Sequence, residues 1–193
     1  MRSSSRLAAS FVVVVTVGSL VACKETPREN PPAQPAVSSA SAAAASLPTL
    51  KPGDDAPALS AKASNGAQVD LAALKGKNVV VYFYPKDDTP GCTKEANGFK
   101  DSFTQLTEKD IVVVGVSEQD DTSHQAFTQK YELPFALVAD TDGKIAKAFG
   151  VPVDNGHAAR MSFLIGKDGK IKKVYPKVDP SAHSAEILTD ATS

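Results

Sequence analysis

Two uninterrupted apolar runs constrain this chain more than any other feature. Asn78–Tyr84 reads NVVVYFY and Ile111–Ser117 reads IVVVGVS. Neither alternates polar with apolar residues, so both have the pattern of strands covered on both faces. Between them, Cys92–Glu108 carries Phe99, Phe103 and Leu106 at i, i+4 and i+7, the spacing of a single helical stripe. The unit is therefore strand, loop, helix, strand.

The surrounding segments extend it. Ala58–Ala63 and Gln68–Leu71 are predicted as short strands about the turn Ser64-Asn65-Gly66. Asp121-Thr122-Ser123 is expected to cap a second helix reaching Tyr131, closed by Pro134 before a strand at Phe135–Ala139. Asp142–Phe149 reads as a short helix ending at Gly150. Arg160–Ile165 and Lys170–Tyr175 read as strands joined by Gly166-Lys167-Asp168-Gly169, and Asp179–Thr189 as a last helix. Strands that alternate with helices and then end in a hairpin and a helix predict an α/β domain over residues 54–193, a mixed central sheet with helices on both faces. A domain of that length buries about two thirds of its chain's surface.

The amino end has another character. Arg2 and Arg6 precede Leu7–Ala22, 16 uncharged residues centred on Phe11–Val15. That is a basic and then apolar export signal, short of the roughly 20 apolar residues that span a bilayer. Leu20-Val21-Ala22-Cys23 resembles a bacterial lipoprotein signal, which implies removal of residues 1–22 and lipidation of Cys23. Acyl chains would anchor the chain at about 0.8 kcal/mol per buried methylene. Residues 24–53 hold 6 Pro, 7 Ala and 4 Ser among 30 residues and lack core-forming periodicity, so residues 23–53 are expected to be a lipidated, disordered tether. Its random-coil reach is roughly 30 Å. The expected location is the bacterial cell envelope, lipid-anchored to a membrane and facing the periplasm or exterior.

With 21 Lys+Arg against 22 Asp+Glu, a formal charge of -1 and no basic run, nucleic acid is not an expected partner. The only cysteines are Cys23 and Cys92, and His124, His157 and His183 are scattered, so neither a disulfide framework nor a metal site is expected and no cofactor is implied. All three histidines are expected on the solvated surface.

Cys92 is the exceptional residue. It follows Pro85-Lys86-Asp87-Asp88-Thr89-Pro90-Gly91, a polar loop from the end of a buried strand to the start of a helix, where open α/β sheets place reacting groups. Pro90 suits a helix entrance, Gly91 allows close backbone approach, and unpaired first-turn N–H groups favour a thiolate at Cys92. An inert core cysteine belongs instead on an apolar stripe. Asp87 and Asp88 oppose a nearby thiolate by like charge, with Lys86 and Lys94 available to offset them.

Pro85-x-x-x-Thr89-x-x-Cys92 resembles the active-site signature of peroxiredoxins, and TPGCTKEANGFKD is most similar to the bacterioferritin comigratory protein, or Q-type, subfamily. The likeness extends to YFYP before the motif, ARMSFLIGKDGKI up to Ile171 and the closing HSAEIL. It implies a thioredoxin-like fold and a thiol peroxidase that reduces hydrogen peroxide and organic hydroperoxides through a sulfenic acid at Cys92. Thr89 and the N–H groups of Gly91 and Cys92 would then point at the peroxide. Arg160, matching the family's arginine, would favour the thiolate and bond the peroxide oxygen. Pro85 would shield the sulfur, and Glu95 matches a carboxylate that orients the arginine, although a favourable helix N-terminal charge explains it equally. Many Q-type members place a second cysteine five residues after the first, where this chain has Asn97. That departure implies a one-cysteine cycle and an external reductant, thioredoxin-like, glutaredoxin-like or a small thiol. A monomer is expected. The alternative is a non-catalytic thioredoxin-like envelope scaffold or binding protein; disulfide exchange through Cys-x-x-Cys is excluded because Glu95 occupies the partner place.

Overall fold

The computed structural model describes residues 47–192. The expected signal segment, the lipidation site Cys23 and the tether as far as residue 46 lie outside the described residues. The last residues assigned to the tether lie against the domain: Leu50 packs on its core, and the Gly53 N–H donates to the Ile171 carbonyl at 2.8 Å.

The first strands, β1 (Ser60–Lys62) and β2 (Gln68–Asp70), form an antiparallel hairpin with Ala61 opposite Val69. Then come β3 (Asn78–Phe83), α1 (Pro90–Asp101), α2 (Phe103–Glu108), β4 (Ile111–Ser117), α3 (Asp121–Tyr131), β5 (Ala136–Ala139) and α4 (Lys144–Ala148). The chain ends with β6 (Val153–Asp154), β7 (His157–Ala158), β8 (Met161–Ile165), β9 (Ile171–Tyr175) and α5 (His183–Thr192). The main sheet has the order β5-β4-β3-β8-β9, with β3 parallel to β4 and antiparallel to β8.

Every residue of β3 is buried, as its unbroken apolar run requires. Its side chains alternate between two cores. Val80, Tyr82 and Tyr84 face Phe99, Leu106, Phe127 and Ile187 of the helices α1, α2, α3 and α5. Val79, Val81 and Phe83 face the opposite side, with Val69 of the β1–β2 hairpin, Phe149 beyond α4, and Phe163.

Several expected elements differ in detail. The helix expected from Cys92 to Glu108 begins at Pro90 and is broken at Ser102, whose backbone leaves the helical region (φ -92°, ψ 1°) and whose hydroxyl bonds the Ser184 hydroxyl of α5 at 3.1 Å. The cap of α3 is Asp120, one residue earlier than expected, its side chain accepting from the Ser123 N–H at 2.8 Å. The last helix starts at His183 rather than Asp179. The β6–β7 hairpin adds to the expected elements: its strands are too short to show a period in the sequence, and Asn155 (φ 49°) and Gly156 (φ 72°) supply the left-handed residues of its turn.

Gly115 of β4 lies between Tyr82 and Leu137, and a Cβ there would sit 2.6 Å from Leu137 Cδ2 and 2.8 Å from the Tyr82 ring and hydroxyl. Gly115→Ala is expected to destabilise the domain by about 1–3 kcal/mol through overpacking. Urea denaturation reads this directly, and an unchanged midpoint would contradict the close packing of the two strands.

Candidate active site

Sheet register assembles the site. Because Met161 of β8 stands opposite Phe83 of β3, Arg160 enters beside the end of β3, where the loop Tyr84–Thr89 begins. That loop runs into α1, with Thr89 as its N-cap residue and Pro90 at its first position. The first intrahelical bond runs from the Thr93 N–H to the Thr89 carbonyl at 2.8 Å, so the N–H groups of Gly91 and Cys92 precede it and have no partner within the helix.

Cys92 is only 2% exposed and belongs to the helix-side core. It is nevertheless in polar contact, since Arg160 Nη2 donates to Cys92 Sγ at 3.1 Å. The other arm of the guanidinium, Nη1, donates to Glu95 Oε2. Cys92 and Glu95 lie one turn apart on α1, so a single planar fork spans both. Glu95 therefore contacts the arginine and does not simply decorate a helix end. Burial pushes its carboxyl up to about 7 against the pull of Arg160, and its Oε1 has no hydrogen-bond partner among the described residues. A Cβ at Gly91 would lie 3.4 Å from Arg160 Nη2, an ordinary van der Waals contact, so Gly91 packs directly against the guanidinium.

Pro85 is half-buried, and its carbonyl lies 3.0 Å from Nδ1 of the exposed His157. The Thr89 hydroxyl donates to the Lys86 carbonyl at 3.1 Å, which leaves Arg160 as the side-chain donor bonded to the sulfur. The loop carboxylates find their partners on α3 and not at Lys86 or Lys94. Buried Asp87 accepts from Tyr84 Oη (2.8 Å), Ser123 Oγ (2.6 Å) and His124 Nδ1 (2.8 Å). Burial pushes its carboxyl up, but the bonds from His124, Ser123 and Tyr84 outweigh this and hold it below the ordinary range. Asp88, on the outer side, takes Lys130 Nζ at 2.6 Å and Tyr131 Oη at 2.6 Å, and those two partners lower its pKa.

Two of the three histidines are therefore not on the surface. His124 is 0% exposed and His183 1% exposed, whereas His157 is exposed as expected. The sequence carried the signal: His124 precedes Phe127 by three residues, and His183 precedes Ile187 and Ala191 by four and eight, placing each on a buried stripe. His183 Nε2 lies 2.9 Å from Ser162 Oγ and 4.0 Å from Glu95 Oε1. Its ring meets Phe99 and Tyr175 edge-on, with centroids 5.2 Å apart in each case. Burial, and then the charge of Arg160, push its pKa down to about 4. Among the described residues no group of three His, Cys, Asp or Glu side chains is placed to hold a metal ion. Asn97 is half-buried on α1 and supplies no second sulfur.

Residues 52–174 match the AhpC/TSA family. The peroxiredoxin Bcp of Bacillus subtilis is 42% identical over 147 residues, 72% of this chain and 94% of that one. The crystal structure of peroxidoxin BcpB from Mycobacterium tuberculosis superposes with a TM-score of 0.69 at 29% identity, covering 75% of this chain and 97% of that one. A structure of the bacterioferritin comigratory protein of Xanthomonas campestris, concerned with its alkyl peroxide reduction activity, gives a TM-score of 0.64 at 31% identity over 69% of this chain and 90% of that one.

The two shifted groups beside Arg160 act on stability with opposite sign. Glu95 holds its proton more tightly folded than unfolded, so its contribution is present below pH 4.5 and is lost as the pH rises through about 7. His183 holds its proton less tightly, so its contribution is present above pH 6.5 and is lost as the pH falls through about 4. Relative to wild type, stability measured by urea denaturation between pH 4.5 and 6.5 is expected to climb more steeply with pH in Glu95→Gln and less steeply in His183→Gln. Profiles parallel to wild type would show that neither group is shifted.

Proposed function

Since the chain belongs to the AhpC/TSA family as a peroxiredoxin of the Bcp, or Q, type and is a thiol-dependent peroxidase, we propose that Cys92 is the sulfur that carries out its chemistry. The observation that carries this reading is the 3.1 Å bond from Arg160 Nη2 to Cys92 Sγ. The thiolate is the form that attacks, and the guanidinium stands against the sulfur that would carry that charge.

The thiolate attacks the terminal oxygen of a hydroperoxide R–O–O–H. The S–O bond forms as the O–O bond breaks, Cys92 becomes a sulfenic acid, and the departing alkoxide takes up a proton to leave as alcohol, or as water when R is hydrogen. Charge spreads over both oxygens as they separate. Arg160 and the first-turn N–H groups of Gly91 and Cys92 are the donors that stabilise it. Thr89 joins them once its hydroxyl turns from the Lys86 carbonyl, and Pro85 keeps water from the sulfur. Glu95 orients Arg160 through the second arm of the fork. The sulfenic acid then condenses with an external thiol to a mixed disulfide, releasing water, and a second thiol frees Cys92. The sequence holds no other cysteine but Cys23, so the cycle runs on one sulfur.

We also propose that the chain is exported and anchored through lipid at Cys23, on the support of Leu20-Val21-Ala22-Cys23 after the apolar stretch. The domain then works at the cell envelope, on hydroperoxides reaching the membrane surface.

Hydrogen peroxide followed by dimedone is expected to label wild type and not Cys92→Ser; absence of label in wild type would overturn the assignment. Arg160→Met is expected to slow oxidation by about 100-fold, the usual effect of losing a charge-stabilising donor, and to slow alkylation at neutral pH as well. Thr89→Val should slow oxidation while leaving the folded domain intact, and equal peroxide kinetics would remove Thr89 from the site. Palmitate labelling in a bacterial host should appear on the full chain and vanish in Cys23→Ala; a wild-type chain without label would rule out the anchor.

A further inference from the structure

We propose that Asp87 and Asp88 are positioning residues which staple the loop between β3 and α1 to α3, so that α3 holds the first turn of α1, and the Cys92 sulfur, in place against Arg160. The inference rests on the peroxidase reading and extends it to a helix that contributes nothing to the attack itself.

Two consecutive carboxylates point opposite ways and are both gripped by one helix. Asp87 turns inward and takes Ser123 and His124 from the start of α3, together with Tyr84, the residue after β3. Asp88 turns outward and takes Lys130 and Tyr131 from the end of α3. The two grips are therefore separated by most of the length of α3, which opposes rotation of the loop as well as its translation. Asp88 has φ 56°, a left-handed conformation that non-glycine residues adopt sparingly, and it immediately precedes Thr89, the N-cap of α1. Such a conformation persists where surrounding contacts over-determine it. On the other side of the loop, Pro85 meets His157 and Cys92 meets Arg160. The loop is thus clamped between α3 and the β7–β8 segment.

The clamp has a chemical reason. Oxygen transfer requires sulfur, peroxide and donors in one geometry, and a displacement of about 1 Å can cost about 100-fold in rate. Pairing with Lys130 also offsets the charge of Asp88, which would otherwise oppose a thiolate.

The test approaches the staple from α3, leaving the loop and the reacting groups intact. Ser123→Ala removes one bond from the inner grip and Lys130→Met the cation of the outer grip; Lys130→Arg restores the cation. Lys173→Met, which breaks the comparable exposed pair with Asp190, is the control. For each full-length variant, the rate constant of Cys92 with hydrogen peroxide is divided by its rate constant with iodoacetamide, which needs the thiolate but not the peroxide geometry. Thermal midpoints are recorded alongside. The expected result is a ratio lowered by about tenfold in the Ser123→Ala, Lys130→Met double variant, smaller losses in the single variants, recovery in Lys130→Arg and no change in Lys173→Met. A lower midpoint with an unchanged ratio would mean that the contacts only stabilise the fold, and the proposal fails. If wild-type Cys92 reacts with peroxide no faster than the same chain in denaturant, the peroxidase reading fails instead.

Discussion

The guanidinium of Arg160 serves a sulfur and a carboxylate at once, and the rest of the site follows from what that demands. Its two arms reach Cys92 and Glu95, which lie one turn apart on α1. A lysine, with a single point charge on a flexible stem, could not span both with fixed geometry. The arrangement depends on β8 pairing with β3 so that Met161 stands opposite Phe83, because a one-residue slip would send Arg160 to the other face of the sheet. Apolar packing on both sides of β3 holds that register.

The same burial has an electrostatic cost. An ion pair withdrawn from water loses solvation that its Coulomb attraction only partly returns, and the carboxyl of Glu95, pushed up to about 7, records the imbalance. His183, packed beside it, stays neutral for the same reason. The sulfur is covered as closely, Cys92 being only 2% exposed. Asn97, on the same helix, supplies no second sulfur.

Much of this was legible beforehand because it was written in unbroken local patterns. The runs NVVVYFY and IVVVGVS became β3 and β4 to within a residue, and Pro90-Gly91-Cys92 opened a helix as its residue types require. What escaped was non-local. His124 and His183 look like surface polar residues until their spacing with Phe127 and Ile187 is taken as a buried stripe, and nothing nearby in the chain shows that Asp87 or Ser162 waits to bond them. Asp87 and Asp88 suggested Lys86 and Lys94 as counter-charges by proximity in sequence, whereas the partners lie some 40 residues away on α3. The Ser102 hydroxyl likewise finds its partner in Ser184, far along the chain.

The order of residues alone determined that this chain would bury two central strands, place a cysteine at a helix entrance after a polar loop, and offer no second thiol in the domain. Those are properties of short segments, set by hydrophobic pattern and backbone preference. Only the tertiary structure decided which arginine arm meets the sulfur, which carboxylate shares it, and which helix holds the loop, because charges and donors acquire their partners through strand register and helix packing between segments that have no contact along the chain.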